Sequence, residues 1–435
     1  MGNLHVLIVG AGIGGLQAAL ALANDGHQVT VCESTSEFLE VGAGIRVPPN
    51  STRLTQSWGV DLGSVKKETS LGNRFVDWHG KKLLDCDFSD VQKHFGAPYY
   101  FVHRADLIKA LVAAASKNEL IDLRMGTPVT DYDFATPKIK CHGSWLQGDL
   151  LVCADGIKSS ARNEINGRPI DPVDTGDVAY RILVPAKPLL EDPDMREYVT
   201  RPWAVHWMGP EAHAVGYPLR GGELYNIIID VTHQTDLGKP IGLDEWRSEA
   251  DNAHLIERFK DWCPPVRKLC ALTGTYLKWK LADFDQLDRW VHPGGRAVLL
   301  GDSCHPMMPY MAQGAAQATE DAATLAAAFR KFGDDIPRAL QAYQDQRLPR
   351  AAYVAKNTRV LQHWLHLHDG EETQRREKLC NSNGLENPFF WGSLERRAWL
   401  FGHDAAKLEV NTIPELPPLP RAEARVYRSQ NSSSG

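Results

Sequence analysis

The stretch LHVLIVGAGIGGLQAALALA, residues 4–23, decides the fold of this chain. Residues 4–9 form a short apolar run, which is typical of a strand buried in a parallel sheet. The alanine-rich residues 16–22 then favour a helix, and residues 29–32 begin a second apolar strand. Together these segments predict a βαβ unit within about 30 residues.

Glycines occupy the turn between the first predicted strand and the helix, in the pattern G-x-G-x-x-G. Gly10 permits the tight turn, Gly12 leaves room for a pyrophosphate, and Gly15 lets the helix and strand approach closely. A diphosphate would lie at the helix N-terminus, where free N–H groups and the helix dipole favour an anion. Glu33, at the end of the second predicted strand, is placed to bind ribose hydroxyls. The motif predicts a dinucleotide site, and a glycine turn that binds nothing is the alternative.

Two downstream segments narrow the choice of dinucleotide. CADGIKSSAR at residues 153–162 has the form D-G-x-x-S-x-x-R, and GDSCHPMMP at residues 301–309 runs on into a helix through QGAA at residues 313–316. With these motifs the sequence resembles the single-component flavin-dependent aromatic hydroxylases, which include salicylate and para-hydroxybenzoate hydroxylases. It is most similar to their fungal relatives of secondary metabolism, which act on phenolic polyketides and alkaloid-type aromatics. The motifs occur in the family's order, and the resemblance covers about residues 4–405.

The resemblance implies FAD, bound non-covalently. Asp302 would contact the ribityl–pyrophosphate region, and backbone N–H groups at the start of the following helix would face the isoalloxazine. Arg104 and Arg46 could instead be surface arginines, and Asp155 could simply form a turn. The residues that match the family's cofactor positions are Gly10, Gly12, Gly15, Glu33, Gly44, Arg46, Arg104, Asp155, Asp302, Gly314 and Ala315.

Catalytic residues are harder to assign. Arg181 lies on a predicted strand and matches a position where fungal phenol hydroxylases place an active-site arginine. An arginine beside a phenol would lower the pKa of the phenol and hold the phenolate. Tyr217 resembles the substrate-contacting tyrosine of the same relatives. A structural ion pair is the alternative for Arg181 and core packing the alternative for Tyr217, while His305 is interpreted as a residue that shapes its loop.

The resemblance implies a monooxygenase that uses NADPH or NADH and O2 to hydroxylate a phenolic or other electron-rich aromatic through a flavin C4a-hydroperoxide. Oxidative dearomatisation, decarboxylative hydroxylation and epoxidation stay open, because the outcome depends on how the ring is oriented. The W-x-W-x-I-P segment of flavin halogenases does not occur in the sequence. An oxidase with covalent flavin at Cys304 or His305, and a flavoprotein without turnover, are further alternatives. No second G-x-G-x-x-G follows a predicted strand, so the nicotinamide donor is expected to bind transiently.

The expected fold class is α/β: a Rossmann-type, glutathione-reductase-like FAD-binding domain, an inserted antiparallel β-sheet domain for the substrate, and C-terminal helices. Within the inserted sheet an amphipathic helix is predicted near residues 243–259. The six aromatic residues Trp207, Trp279, Trp364, Phe389, Phe390 and Trp391 are candidates for a pocket lining or for core packing. The predicted domain limits are 1–75, 99–178 and 285–350 for FAD, 76–98 and 179–284 for the substrate, 351–412 for the helices, and 413–435 for an extended or disordered tail.

Composition limits the partners. The 435 residues include 48 Lys and Arg against 54 Asp and Glu, a net charge of −6, with 43% hydrophobic and 23% charged residues. This balance offers no basic face for nucleic acid and no polybasic run for a membrane. The eight cysteines show no C-x-x-C pair, so neither a metal site nor a disulfide scaffold is predicted. Free thiols and the lack of an apolar span predict a cytoplasmic protein, and the sequence leaves its oligomeric state open.

Overall fold

A computed structural model describes residues 3–38, 43–232, 238, 241, 246–408 and 416–421. The strands of this part of the chain are β1 (His5–Val9), β2 (Gln28–Cys32), β3 (Gly44–Val47), β4 (Lys67–Thr69), β5 (Gly72–Asp77), β6 (Lys82–Asp87), β7 (Tyr100–His103), β8 (Ile121–Arg124), β9 (Val129–Asp133), β10 (Lys138–Cys141), β11 (Ser144–Gln147), β12 (Leu150–Cys153), β13 (Val173–Pro185), β14 (Trp203–Gly209), β15 (Ala212–Leu219), β16 (Leu224–Val231), β17 (Arg247–Asp251), β18 (Thr275–Asp283) and β19 (Ala297–Leu299).

The helices are α1 (Ile13–Asn24), α2 (Pro49–Ser57), α3 (Val91–Phe95), α4 (Arg104–Ala115), α5 (Ala161–Asn166), α6 (Lys187–Glu191), α7 (Arg196–Thr200), α8 (Ala253–Arg258), α9 (Pro264–Cys270), α10 (Gly314–Phe332), α11 (Ile336–Leu365), α12 (Glu371–Leu379) and α13 (Leu394–Phe401). Short 3₁₀ turns span Gly301–Ser303, Pro309–Met311 and Phe390–Gly392. Among the helices of the described residues, none combines the length and apolar character needed to cross a membrane.

A parallel sheet of order β19-β12-β1-β2-β8 forms the first layer. Strands β19, β12, β1 and β2 are apolar and mostly buried, because helices cover a parallel sheet on both faces, whereas the edge strand β8 is partly exposed. The predicted βαβ unit is therefore confirmed as β1-α1-β2. Since these strands are parallel, their carboxyl ends lie along one edge, which we call the cofactor edge.

A second sheet has the order β17-β18-β13-β16-β15-β14-β5-β6. Its pairs are antiparallel except for β14 with β5, which run parallel. The register places Tyr217 opposite Asn226 and His213 opposite Asp230. Because side chains alternate along a strand, these residues and Arg181 project from one side of the sheet, which we call the substrate face.

The predicted amphipathic helix near residues 243–259 is wrong over residues 246–252. Residues 242–245 lie outside the described part of the chain, and the next segment is strand β17, paired with β18. Only α8 is helical there. Cross-strand pairing with β18 has overridden the helical pattern of the local sequence.

The domain limits given above stay a prediction. The predicted boundary at residue 75 falls inside β5, and the one at residue 350 falls inside the 30-residue helix α11. Residues 413–415 and 422–435 of the predicted tail lie outside the described residues. Residues 416–421 are neither helix nor strand, and they lie against the C-terminal helices.

Two acidic residues of α10 and two arginines of α11 fasten these helices together. Arg347 binds Asp321 at 2.8 Å and Glu320 at 2.6 Å, and Arg350 also binds Glu320 at 2.6 Å. All four side chains are fully buried. This ion network fixes α10, whose first residues meet the cofactor edge.

Candidate functional site

The glycine turn has the conformation that the sequence predicts. Gly10 adopts φ +98°, in the region that favours glycine, and an added Cβ at Gly15 would overlap the carbonyl oxygen of Gly10. A Cβ at Gly12 would instead meet no atom of the described residues within 4 Å. Gly10 and Gly15 are therefore required by the backbone, whereas Gly12 borders open space at the start of α1.

Glu33 closes the other side of this turn. Its Oε2 accepts a 2.7 Å hydrogen bond from the N–H of Ala11, and its Oε1 accepts one from the N–H of Thr35 at 2.9 Å. These bonds fix the carboxylate at the carboxyl end of β2. A carboxylate held there can accept hydrogen bonds from the hydroxyls of a ribose.

Asp155 follows β12 and lies against the same turn. An added Cβ at Gly10 would come within 3.2 Å of its Cα. Its Oδ1 is buried and has no hydrogen-bond partner in the described part of the chain. Burial raises the pKa of this carboxyl group. The glycine turn and Asp155 therefore lie side by side at the cofactor edge.

Asp302, Arg104 and the start of α10 complete the cofactor edge. Asp302 and Arg104 are both exposed to solvent, yet the surrounding protein raises the pKa of Asp302 and lowers that of Arg104, because it desolvates both groups. The Arg104 guanidinium opposes the first shift and Asp302 the second, so the two groups interact electrostatically. Gly314 and Ala315 form the first turn of α10, behind the left-handed Ala312 at φ +50°.

The residues present at this edge fit FAD. Helix α1 begins at Gly12 without a side-chain cap, so its first N–H groups point into the open space at Gly12. Glu33 can hold ribose hydroxyls, and the carboxylate of Asp302 can accept hydrogen bonds from a ribityl chain. Gln313 Nε2 is buried at the start of α10 and has no partner among the described residues. A donor left unpaired beside a helix N-terminus suits a polar group of a ligand.

Tyr217 lies deep on the substrate face, beside the first residue of β3. An added Cβ at Gly44 would approach the Tyr217 hydroxyl to 2.7 Å, so only glycine allows this contact. Asn226 Oδ1 accepts a 2.7 Å hydrogen bond from the N–H of Gly44. The Tyr217 ring contacts Phe101 at 4.7 Å between centroids. Burial raises the pKa of Tyr217 to about 12, so the phenol is neutral at physiological pH.

Arg181 is only partly exposed on the substrate face. Its guanidinium lies over the Trp279 ring at 5.0 Å, and its Nε is buried without a hydrogen-bond partner among the described residues. Burial lowers its pKa, Asp230 opposes that shift, and Arg104 adds to it. Arg104 therefore interacts through its charge with both Asp302 and Arg181, and so connects the cofactor edge with the substrate face.

Arg46 belongs to β3, and its side chain reaches residues of the substrate face. It donates a 3.1 Å hydrogen bond to Asn73 Oδ1, lies 3.5 Å from His206 Nε2, and approaches the Tyr217 ring to 5.9 Å and the Trp391 ring to 5.8 Å. Its guanidinium is buried. Arg46 thus brings a second positive charge to the substrate face, in addition to Arg181.

The six aromatic candidates divide between three places. Trp207 belongs to the apolar cluster on the opposite side of the sheet, so it packs in the core there. Trp279 lies at Arg181, and Phe389 stacks on Phe75 at 4.0 Å in a cluster that also contains the remaining candidates. Trp391 reaches His206 at 6.1 Å. Phe389 and Trp391 therefore form an apolar wall opposite the substrate face.

Sequence reasoning missed Asp230, His213 and Asn226. Burial and Asp177 raise the pKa of Asp230 to about 8, and burial lowers the pKa of His213 well below its usual value. Asp230 is therefore largely protonated and His213 neutral at pH 7. The signal was present in β16, where LYNIIIDV places Asn226 and Asp230 four residues apart, on one face of an otherwise apolar strand.

The cofactor edge is that of a dinucleotide-binding flavoprotein. Residues 3–358 match the FAD binding domain family, and the chain belongs to this family. The doubly layered fold and the glycine turn at the start of α1 are in accord with that membership.

Relatives with assigned activities align over almost the whole chain. The FAD-dependent monooxygenase atnJ of Arthrinium sp is 36% identical over 425 residues, covering 95% of this chain and 97% of that protein. The 3-hydroxybenzoate 6-hydroxylase 1 of Aquipseudomonas alcaligenes is 32% identical over 415 residues, covering 93% and 98%. A salicylate hydroxylase, solved as a substrate complex, superposes with a TM-score of 0.77 at 25% identity, over 95% of this chain and 99% of that chain.

Proposed function

We propose that the protein is an FAD-dependent monooxygenase that uses NADPH or NADH and O2 to hydroxylate a phenolic or other electron-rich aromatic compound. The observation that carries this proposal is that Arg104 interacts electrostatically with both Asp302 at the cofactor edge and Arg181 on the substrate face. A flavin held at the edge would thereby face a molecule held on the sheet. Membership of the FAD-binding family and the hydroxylase relatives support the same activity.

The cofactor edge would bind FAD through backbone groups and carboxylates. The first N–H groups of α1 would face the pyrophosphate beside Gly12, Glu33 would accept hydrogen bonds from ribose, and Asp302 from the ribityl chain. The N–H groups of Gly314 and Ala315, at the positive end of α10, would stabilise negative charge that develops on the flavin ring. When bound, FAD supplies the transfer of reducing equivalents from the nicotinamide and the activation of O2.

The substrate face would select an aromatic compound with an anionic or ionisable oxygen. Arg46 and Arg181 bring positive charge to a buried surface, and the unpaired Nε of Arg181 is a donor available to a ligand. An opposite charge within about 4–6 Å lowers the pKa of an acid by about 1–3 units. These arginines would therefore favour a phenolate, whose ring is more electron-rich than that of the phenol.

The apolar wall would exclude water from this ring. Phe389 stacks on Phe75, and Trp391 covers Arg46. Exclusion of water strengthens the charge contacts and limits loss of reducing equivalents to hydrogen peroxide. The nicotinamide would bind transiently, because the sequence has only one glycine-rich dinucleotide motif.

The first experiment measures oxidation of NADPH and of NADH by the FAD-loaded protein in air, with and without a panel of phenols, hydroxybenzoates and indoles. We expect one class of aromatic compound to accelerate the oxidation and to gain an oxygen atom, detected by mass spectrometry with ¹⁸O₂. A protein that binds FAD but oxidises neither nucleotide faster with any aromatic compound would contradict the proposal.

Arg181→Ala tests the assignment of the substrate face. We expect the variant to bind FAD like the wild type, while kcat/KM for hydroxylation falls about 100-fold or more, the order expected when a residue that positions substrate charge is removed. Arg247→Ala is the matched control, because Arg247 also lies over the Trp279 ring, at 5.8 Å, but is exposed on the edge strand β17. Full coupled turnover by Arg181→Ala would show that the assigned role is wrong.

A further inference from the structure

Residues 416–421, with the sequence LPPLPR, lie in a groove between α11, α12 and α13. We call this segment the strap. Trp364 Nε1 donates a 2.8 Å hydrogen bond to the carbonyl of Pro420, and Asn357 Oδ1 accepts one of 2.7 Å from the N–H of Leu419. The Leu419 side chain is 1% exposed. The strap is therefore held by both its backbone and a buried side chain.

Arg396 of α13 joins the strap to the rest of the molecule. Its guanidinium donates to the carbonyls of Pro417 at 2.6 Å and Pro418 at 3.2 Å, and to that of Leu385 at 2.8 Å. It also donates to Tyr353 Oη at 3.0 Å. Arg396 is fully buried with the strap in place, and the strap supplies two of the four acceptors of its donated bonds.

Leu385 belongs to the loop that leads into the apolar wall, which consists of Phe389 and Trp391. The Asn387 side chain fastens the same loop through a 2.6 Å bond to the carbonyl of Ser382 and a 2.9 Å bond from the N–H of Phe389. Phe389 then stacks on Phe75, and Trp391 lies over Arg46. A continuous set of contacts thus runs from the strap through Arg396 to the wall of the cleft.

Leu419 reinforces this connection through packing. It belongs to the same apolar cluster as Phe75, Phe389 and Trp391. Proline fixes φ near the value of an extended left-handed helix, so a proline-rich segment loses little conformational entropy when it docks. The sequence of the strap is therefore suited to binding with few contacts.

We propose that the strap positions the Phe389–Trp391 wall against the substrate face, and that its groove is a binding site for a proline-rich peptide, filled by the chain's own C-terminal segment. This inference rests on the proposed monooxygenase function. The strap therefore acts on the wall through the hydrogen bonds of Arg396 and through the packing of Leu419. The strap keeps the wall closed against the substrate face. When the wall is open, reducing equivalents form hydrogen peroxide instead of product, by the reaction NAD(P)H + H⁺ + O2 → NAD(P)⁺ + H2O2.

Two truncations test the proposal. A chain that ends at Arg421 keeps the strap, whereas one that ends at Glu415 lacks it. We expect the first to match the full chain and the second to bind FAD normally, with KM for the aromatic raised about tenfold, the factor that one charge-assisted hydrogen bond provides. The share of oxidised NAD(P)H that appears as H2O2 should rise as well. Equal KM and equal coupling in the two truncations would overturn the proposal.

A synthetic peptide, LPPLPR, added to the shorter chain should restore coupling, and LPPDPR, with aspartate at the position of Leu419, should not. Where the shorter chain fails to fold, Leu419→Asp in the full chain replaces it, with Leu416→Asp, the same substitution at a partly exposed position, as its control. Unchanged coupling in Leu419→Asp would likewise overturn the proposal. Absence of aromatic-stimulated turnover in the full chain would instead refute the proposed function, so the two failures are distinguishable.

Discussion

Two clusters of buried ionisable side chains in the described part of the chain differ in how completely their polar atoms are paired. The helix cluster joins α10 to α11, and the sheet cluster lies on the substrate face. In the helix cluster every side-chain nitrogen and oxygen has a partner. The helix cluster consists of Glu320, Asp321, Arg347 and Arg350, and the sheet cluster of Arg46, Arg181, His206, His213 and Asp230.

In the sheet cluster three buried atoms have no hydrogen-bond partner within the described chain: Arg181 Nε, His206 Nδ1 and Asp230 Oδ1. A buried polar atom without a partner costs free energy, so native proteins keep few of them, and chiefly where function requires them. The carboxyl groups of the two clusters also differ in their ionisation states. Arg350 and Arg347 overcome the effect of burial and lower the pKa of Glu320, whereas burial dominates at Asp230 and raises its pKa. The helix cluster is therefore structural, whereas the unpaired atoms of the sheet cluster are those that the proposed function assigns to ligand binding.

Arg347→Met should break the helix cluster and give the largest effect on stability. The variant leaves Asp321 with one charged partner fewer and Glu320 paired with Arg350 alone, all in the interior. Removing one member of a buried ion network costs about 3–5 kcal/mol of the free energy of unfolding. Urea unfolding followed by circular dichroism measures the loss. Arg289→Met, which changes an exposed arginine between β18 and β19, is the control, and a loss below about 1 kcal/mol in Arg347→Met would contradict the structural role.

Asp230→Asn should change the pH dependence of stability, because the sheet cluster keeps this carboxyl group protonated. Its pKa is raised to about 8 in the folded state, by burial and by Asp177, against the opposing effects of Arg181 and Arg46. Between the unfolded pKa near 3.9 and the folded value, the folded state binds more protons than the unfolded state. The wild type therefore loses stability as pH rises through this window, by up to about 1.4 kcal/mol per pH unit.

The asparagine variant lacks this contribution, so its stability relative to the wild type should increase from about pH 5 to pH 7. Urea unfolding of both proteins at the two pH values gives the difference directly, and other titrating groups cancel in it. The neighbouring His213 is neutral throughout, because burial holds its pKa well below the usual value. A stability difference that is independent of pH would show that Asp230 is ionised in the folded protein.

The cofactor edge could be predicted from the sequence, whereas the sheet cluster could be predicted only in part. The edge depends on local requirements: the positive φ of Gly10 and the close approach at Gly15 are met within a few residues of one turn. Glu33 follows because β2 pairs directly with β1. Local sequence was therefore sufficient, and the family match and the structure agree with the predicted FAD fold.

The sheet cluster depends on pairings that span long distances along the chain. Arg181 and Tyr217 came from the resemblance, but Asp230 joins them only through the register of β16 with β13 and β15. His213 likewise reaches the C-terminal part of the chain, at His366, through a 2.7 Å contact. The helix predicted near residues 243–259 failed for the same reason, since β17 gains its structure from β18. The positions of these residues therefore depend on tertiary pairing rather than on the local sequence pattern.

Asn226→Ala should give the smallest effect. This residue has one paired polar atom, as in the helix cluster, and one unpaired polar atom, as in the sheet cluster. Its Oδ1 is paired with the N–H of Gly44 at 2.7 Å, while its Nδ2 is buried without a partner in the described part of the chain. Loss of the paired acceptor should lower the free energy of unfolding by about 1 kcal/mol. Loss of the unpaired donor should leave stability unaffected and raise KM for the aromatic. Thermal unfolding and steady-state kinetics separate the two contributions. A variant with lowered stability and unchanged KM would assign Asn226 to the structure alone, and would remove it from the surface that receives the substrate.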